Sequence, residues 1–148
     1  MYFLPIYTDV EKAHNIIRKY AHQTPVLSSS GINKIVGADL YFKCENFQKV
    51  GAFKFRGACN AVFSLSDEDA QKGVATHSSG NHAAALALAA KMRGIDAHIV
   101  MPRTSPGIKK KAVAGYGAKI TFCEPTLEAR ETTLAKVVAK TGATEIHP

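Results

Sequence analysis

From Val74 to Ile146 the chain alternates short apolar stretches with segments of helical length, and this alternation restricts the fold more than any other feature. Val74-Ala75-Thr76, Ala97 to Met101, Lys119 to Cys123 and Thr144-Glu145-Ile146 have the length and composition of strands. Between them lie His82 to Arg93, closed by Gly94, and a segment that Ser105-Pro106 caps and Gly115 to Gly117 stops. The third is Leu127 to Lys140, capped by Thr126 and ended by Gly142. Strands and helices in turn at this spacing imply right-handed βαβ units on a parallel sheet with flanking helices, an α/β fold. The segment after His82 is nearly all Ala and Leu, apolar around its whole circumference, so it has to be covered on most sides.

The chain before Val74 is less regular. Asp9 to Tyr20 has an amphipathic helical pattern, with Val10, Ala13, Ile16, Ile17 and Tyr20 on one side. Thr8 stands where an N-cap belongs, and Glu11 completes a capping box. Thr24-Pro25-Val26-Leu27 is extended, Ser28-Ser29-Ser30-Gly31 reads as a polar turn, and Leu40 to Cys44 reads as a strand interrupted by Lys43. A helix then runs from Lys54 through Leu65, with Gly57 at a point of close packing, and Ser66 caps a short acidic helix ended by Gly73.

Composition narrows the function classes. At 148 residues and 46% hydrophobic content there is enough chain for one core and part of another. No apolar run of about 18 residues points to a membrane span, and Met1 to Ile6 lacks the basic flank of a secretory signal, so a cytoplasmic protein is expected. Cys44, Cys59 and Cys123 are widely spaced and read as buried thiols, and the histidines lack metal-ligand spacing, so no metal site is expected in this stretch. The net charge of +7 is spread out; its only run is Lys109-Lys110-Lys111, without interleaved aromatics, which argues for solvated helix faces and against nucleic acid.

Two stretches carry chemistry. In Glu45-Asn46-Phe47-Gln48-Lys49-Val50-Gly51-Ala52-Phe53-Lys54-Phe55-Arg56-Gly57, Lys54 opens a helix between two phenylalanines. Aromatic walls and a helix dipole both disfavour an ammonium, and a free amine is what imine chemistry with an aldehyde requires. Ser78-Ser79-Gly80-Asn81-His82 joins a strand end to a helix start, where backbone N–H groups attract a carboxylate or phosphate; the same residues also serve simply to cap a helix. No GxGxxG or Walker lysine accompanies them.

Asn46-Phe47-Gln48-Lys49, Gly51-Ala52-Phe53-Lys54-Phe55-Arg56-Gly57 and Thr76-His77-Ser78-Ser79-Gly80-Asn81-His82 together resemble the fold-type II (tryptophan synthase β-like) pyridoxal-phosphate enzymes, in the serine racemase and serine/threonine dehydratase branch. Asp9-Val10-Glu11-Lys12-Ala13-His14 and Cys123-Glu124-Pro125 extend the resemblance over essentially the whole chain. It implies that Lys54 is the Schiff-base lysine and Ser79 the acid/base group on the opposite face of the cofactor. It places Phe53 beside the pyridine ring and Asn81 at its 3-hydroxyl. Ser78, Ser79, Asn81 and His82 would hold the substrate α-carboxylate, and Arg130 a second one. Racemase-like members bind ATP at a subunit interface, and the matching positions are Glu11, Ser29, Ser30, Lys49 and Tyr116; Val50 and Ala84 replace polar side chains found in some of them. Ala52, where many relatives have serine, matches the microbial racemase and 3-hydroxyaspartate dehydratase branch.

The resemblance also implies a cofactor phosphate loop and a metal site beyond Pro148, so that the chain is a truncated N-terminal portion. Residues 1–72 would open a large cofactor-binding domain, 73–146 would form a small αβ domain, and 147–148 would begin the return to the large one. The implied function is a serine racemase with serine/threonine dehydratase (ammonia-lyase) activity through an aldimine and α-proton abstraction. It would be a homodimer acting on a small amino acid, with Mg2+ and ATP as effectors. The alternatives are a threonine or threo-3-hydroxyaspartate dehydratase and, for the chain by itself, a non-catalytic anion- or nucleotide-binding module.

Overall fold

The computed structural model describes residues 4–148. Met1–Phe3, the start of the apolar stretch read above as no secretory signal, lie outside the described residues. The first half runs α1 (Tyr7–Ile17), β1 (Val26–Leu27), α2 (Ser30–Val36), β2 (Phe42–Lys43), two single 3-10 turns (Glu45–Phe47 and Lys49–Gly51), α3 (Lys54–Ser64) and α4 (Asp67–Gln71). It continues through β3 (Val74–His77), α5 (Asn81–Arg93), β4 (Ala97–Pro102), α6 (Gly107–Gly115), β5 (Lys119–Cys123), α7 (Leu127–Thr141) and β6 (Thr144–Glu145).

The expected parallel sheet forms in the order β5-β4-β3-β6, with every pair parallel. Period-two alternation sends its side chains into two cores. Val74, Ile99 and Met101 join α5, α6 and α3 on one face, while Ala75, Val100 and Cys123 meet Leu134 of α7 on the other. Helix α5 is buried along Ala83–Ala87 and again at Ala89 and Ala90, as its composition requires. Its alanines let α3 lie close, through Phe55, Ala58, Cys59 and Val62. Arg93 secures the far end of that pairing: its guanidinium donates to the Val62 carbonyl, to the Leu65 carbonyl at 2.9 Å and to Asp67 Oδ1 at 3.1 Å. Burial pushes the Cys59 thiol up to about 11, so it stays protonated and inert.

The chain leaves β3 for β4 by way of α5 on one face and reaches β6, on the other side of β3, after α7 on the opposite face. The carboxyl ends of β3 and β6 therefore flank a topological switch point, where open α/β sheets leave a crevice.

Several local expectations fail before Val74. Ser28 to Gly31 is not merely a turn. Ser29 Oγ accepts from Ile32 N to cap α2, and Gly37 ends it in the left-handed region at φ 67°. The strand expected over Leu40 to Cys44 shrinks to two residues paired antiparallel with β1, and Lys43 Nζ donates to the Thr24 carbonyl at 2.7 Å. In α1 the N-cap is Ile6, whose N–H is taken by the Asp9 carboxylate at 3.0 Å, so Thr8 and Glu11 form no capping box. Val10 faces solvent, and Tyr20 lies beyond the helix, stacked on Phe63 with ring centroids 3.8 Å apart. Cys44 is only half-buried. The Ser105 hydroxyl caps nothing; Pro106 is the N-cap of α6, and Ser105 Oγ is buried without a partner. Among the described residues no helix is long and apolar enough to cross a membrane.

Candidate active site

Lys54 is the first residue of α3, and the chain reaches it through a tightly constrained bend. Val50 (φ 58°, ψ 11°) and Gly51 (φ 68°) are both left-handed. The glycine adopts that region freely, whereas a β-branched valine there costs about 1–3 kcal/mol and needs surroundings that enforce it. Val50 packs against the main core, and the residues that flank it are held by polar contacts. Arg56 of α3 clasps Glu45 with two hydrogen bonds, Nε to Oε2 at 2.8 Å and Nη2 to Oε1 at 2.7 Å. Thr24 Oγ1 also donates to Glu45 Oε1. Gln48 pairs with the backbone of His22, accepting from its N–H and donating to its carbonyl, both at 2.8 Å. The Arg56 hydrogen bonds, opposed by partial burial and helped by Thr24, hold the Glu45 carboxyl at about 2.

Phe55 is fully buried, so Lys54 emerges on the other side of α3. Its Nζ lies 5.7 Å from the centre of the Phe53 ring, which is 62% exposed. The two-walled aromatic setting expected from sequence is thus one-sided. Phe55 serves the core, and the ammonium over its ring is that of Lys49, at 5.9 Å.

Across from α3, the end of β3 turns into α5. Ser78 N–H donates to the Val100 carbonyl at 3.1 Å and Gly80 N–H to Ser78 Oγ at 3.3 Å. No side chain caps α5, so its first N–H groups remain open to an anion. Asn81 is exposed and accepts from Lys109 Nζ at 2.7 Å through Oδ1. His82, 7% exposed, sets Nε2 3.3 Å from the Ile146 carbonyl. Burial lowers its pKa, the Ile146 hydrogen bond opposes that, and the nearby Lys54 charge adds to the lowering, so the imidazole is neutral at pH 7.

Lys54 and His82 line one cavity of about 260 Å³ together with Gly57, Ala58, Ile146 and His147, at the switch point between β3 and β6. Contrary to the close packing expected from sequence, a Cβ at Gly57 would meet nothing within 4 Å, and the small residues of α3 leave the space open. Sequence reasoning missed the Ile146–His147 wall, because only the fold brings it to α5. The clasp of Glu45 by Arg56 was missed for the same reason.

The remaining candidates are scattered. Ser78 and Ser79 are half-buried in the turn before α5, outside the cavity lining. Arg130 lies on α7, on the opposite face of the sheet, with its Nε buried and unpartnered. Of the residues expected at an ATP site, Glu11 lines a separate cavity with Tyr7 and His14, Ser29 caps α2, and Ser30 begins it. Lys49 stands over Phe55, and Tyr116 is the C-cap of α6.

A crevice at the carboxyl edge of parallel strands, lined by the Lys54 amine and by His82 near the uncapped start of α5, is where an α/β scaffold places a ligand site. The donor set fits pyridoxal phosphate: the Lys54 amine would meet its aldehyde, and the open N–H groups of α5 would donate to anionic oxygens. The chain belongs to the pyridoxal-phosphate dependent enzyme family, whose profile matches residues 17–148, and its fold is that of the fold-type II members. It is 54% identical over 146 residues to a beta-hydroxyaspartate dehydratase of Paracoccus denitrificans, covering 99% of this chain and 46% of that protein. It is 51% identical over 140 residues to the serine racemase of Dictyostelium discoideum, covering 95% of this chain and 43% of that one. The structure of maize serine racemase superposes with a TM-score of 0.92 at 54% identity, covering 94% of this chain and 42% of that chain. The chain thus spans less than half the length of the relatives it matches.

Proposed function

We propose that the full-length protein is a pyridoxal-phosphate-dependent serine racemase with serine/threonine ammonia-lyase activity. When bound, pyridoxal phosphate supplies an aldehyde for an amine and an electron sink for the charge left by a departing α-proton. Lys54 Nζ holds that proton on one side of the substrate, and Ser79 Oγ returns one on the other, which inverts the centre. Departure of the β-hydroxyl in place of reprotonation leads to the keto acid and ammonia. Phe53 packs beside the cofactor ring and Asn81 hydrogen-bonds its 3-oxygen. Ser78, Ser79, Asn81 and His82 receive the α-carboxylate at the open start of α5. A neutral His82 adds no second cation beside Lys54.

We assign residues 1–72 to the opening of a large cofactor-binding domain and 73–146 to a small αβ domain, supported by the sheet from Val74 to Glu145. Residues 147–148 begin the return. A homodimer in the cytoplasm, with Mg2+ and with ATP at Glu11, Ser29, Ser30, Lys49 and Tyr116, completes the proposal.

The observation that carries this reading is the meeting of Lys54 with His82, the second residue of the uncapped helix α5, at the switch-point cavity. In the full-length protein, borohydride reduction of the cofactor-loaded form is expected to leave its mass on the Lys54 peptide. Lys54→Ala is expected to lower L-serine turnover by roughly a thousandfold or more. Retained turnover, or a label elsewhere, overturns the assignment. Ser79→Ala is expected to lose racemisation while keeping L-serine dehydration; unchanged racemisation removes Ser79 as the second base.

A second reading, a threo-3-hydroxyaspartate dehydratase, is favoured by the dehydratase relative, and in it Arg130 would take the second carboxylate. Faster turnover of 3-hydroxyaspartate than of serine, lost in Arg130→Met, selects it.

A further inference from the structure

The run Lys109-Lys110-Lys111 looks like a solvated basic patch, yet on α6 its members point in three directions, since successive helical residues are about 100° apart. Lys110 Nζ donates to the Arg103 carbonyl at 2.6 Å and lies 5.3 Å from the Phe122 ring centre. Lys111 is exposed. Lys109 alone reaches across to α5, where its Nζ donates to Asn81 Oδ1 at 2.7 Å.

We infer that Lys109 is a positioning residue that fixes which way the Asn81 carboxamide faces. An ammonium is donor-only, so the group it meets has to be the amide oxygen. With Oδ1 held toward α6, the Asn81 NH2 group is turned away from it, and among the described residues that group has no hydrogen-bond partner. A side-chain amide can otherwise rotate by half a turn and exchange donor for acceptor at little cost. At the first residue of α5 such a flip would set an acceptor among the donors that open toward an anion. The contact joins residues 28 apart on two helices that pack together, so α6 senses and sets the donor pattern at the α5 start. Resting on the reading of Asn81 as the partner of the cofactor 3-oxygen, this makes Lys109 a determinant of cofactor affinity that never touches the cofactor.

The test uses the full-length protein with 15N-labelled asparagine, comparing Lys109→Met, Lys109→Arg and Lys111→Met. In the cofactor-free form, Lys109→Met is expected to shift or broaden the Asn81 side-chain NH2 pair, assigned by its absence in Asn81→Asp. Lys109→Arg is expected to restore the pair, because it keeps a donor in place, and Lys111→Met to leave it unmoved. The dissociation constant for pyridoxal phosphate is expected to rise about three- to tenfold in Lys109→Met, the scale of one misdirected hydrogen bond. An unmoved NH2 pair in Lys109→Met overturns the inference. So does unchanged cofactor affinity in Lys109→Met when Asn81→Ala weakens it. Unchanged affinity in Asn81→Ala overturns the cofactor role of Asn81 instead, a result the amide resonance separates from the first.

Discussion

In β3 and β4 the side chains of Val74, Ala75, Ile99, Val100 and Met101 are all covered, whereas in β1, α2 and β2 Val26, Leu27, Ile35, Val36 and Phe42 stand in solvent. Both regions hold apolar residues in short elements, so the difference lies in layering. The four-stranded sheet has helices on each face and can divide its side chains between two cores. The β1–β2 pair is two residues long on each strand, too small to hide a face. Helix α1 docks on the main core through Ile17, but from β1 to Lys54 order comes mainly from polar contacts, centred on Glu45, Gln48 and Arg56. Order after it comes from apolar packing. Lys54 stands at the junction: its bend is held by the first kind of interaction and its helix by the second.

The largest test of that division compares two neighbours. Phe55 is 0% exposed and packs in the main core, while Phe53, two residues earlier, lies mostly in solvent. Phe55→Ala is expected to cost about 3–5 kcal/mol in urea unfolding, since it deletes a ring and leaves a cavity between α3 and α5. Phe53→Ala is expected to stay within about 0.5 kcal/mol. Equal losses would mean that α3 is not anchored through its buried face.

Glu45→Gln probes the polar side with a smaller effect, about 1–2 kcal/mol, because the pair it breaks is part-buried and hydrogen-bonded yet still partly wetted. The sign with pH is definite. The folded carboxyl titrates near 2 against an ordinary 4.5, so its contribution is complete above 4.5 and is lost as pH falls toward 2. Glu45→Gln should flatten the stability profile in that window. His82 gives a separate, earlier loss. Burial depresses its pKa below the ordinary 6.5, so the neutral form stabilises the fold above 6.5, and this is lost as pH falls through the lowered folded value. An acid profile in which Glu45→Gln changes nothing below pH 4.5 would remove the clasp from the account of how the Lys54 bend is held.

The same division explains what could be read from the chain directly. Strand β5 and helix α7 match their expected bounds closely, because Thr126, Gly142 and the apolar period are local signals. Helix α2 escaped notice, although Ser29 and Gly37 bracket it, because three consecutive serines also suit a turn. The Glu45–Arg56, Gln48–His22 and Lys109–Asn81 contacts join residues 11, 26 and 28 positions apart, with no periodicity to announce them. At the site, the Lys54 and Ser78–His82 stretches stood out as residue types suited to anion and imine chemistry. The convergence of Lys54 and His82 with Ile146 and His147 depends on strand order, which no local pattern encodes.

The smallest expected effect is the sharpest check on the solvent-facing region. Ile35 is 85% exposed on α2, a helix with no buried residue. If apolar packing contributes little there, Ile35→Ser in this 148-residue chain should change the urea midpoint by an amount equivalent to no more than about 0.5 kcal/mol. The residual loss would come from helix propensity, in which Ser and Ile differ little. Val62→Ser makes the matched comparison, since Val62 is fully buried between α3 and α5 and would leave both a void and an unsatisfied hydroxyl. A cost at Ile35 approaching that at Val62 would show that α2 is covered in solution, most simply by a second copy of the chain. The cost would then grow with protein concentration, because burial by association follows mass action and burial within one chain does not.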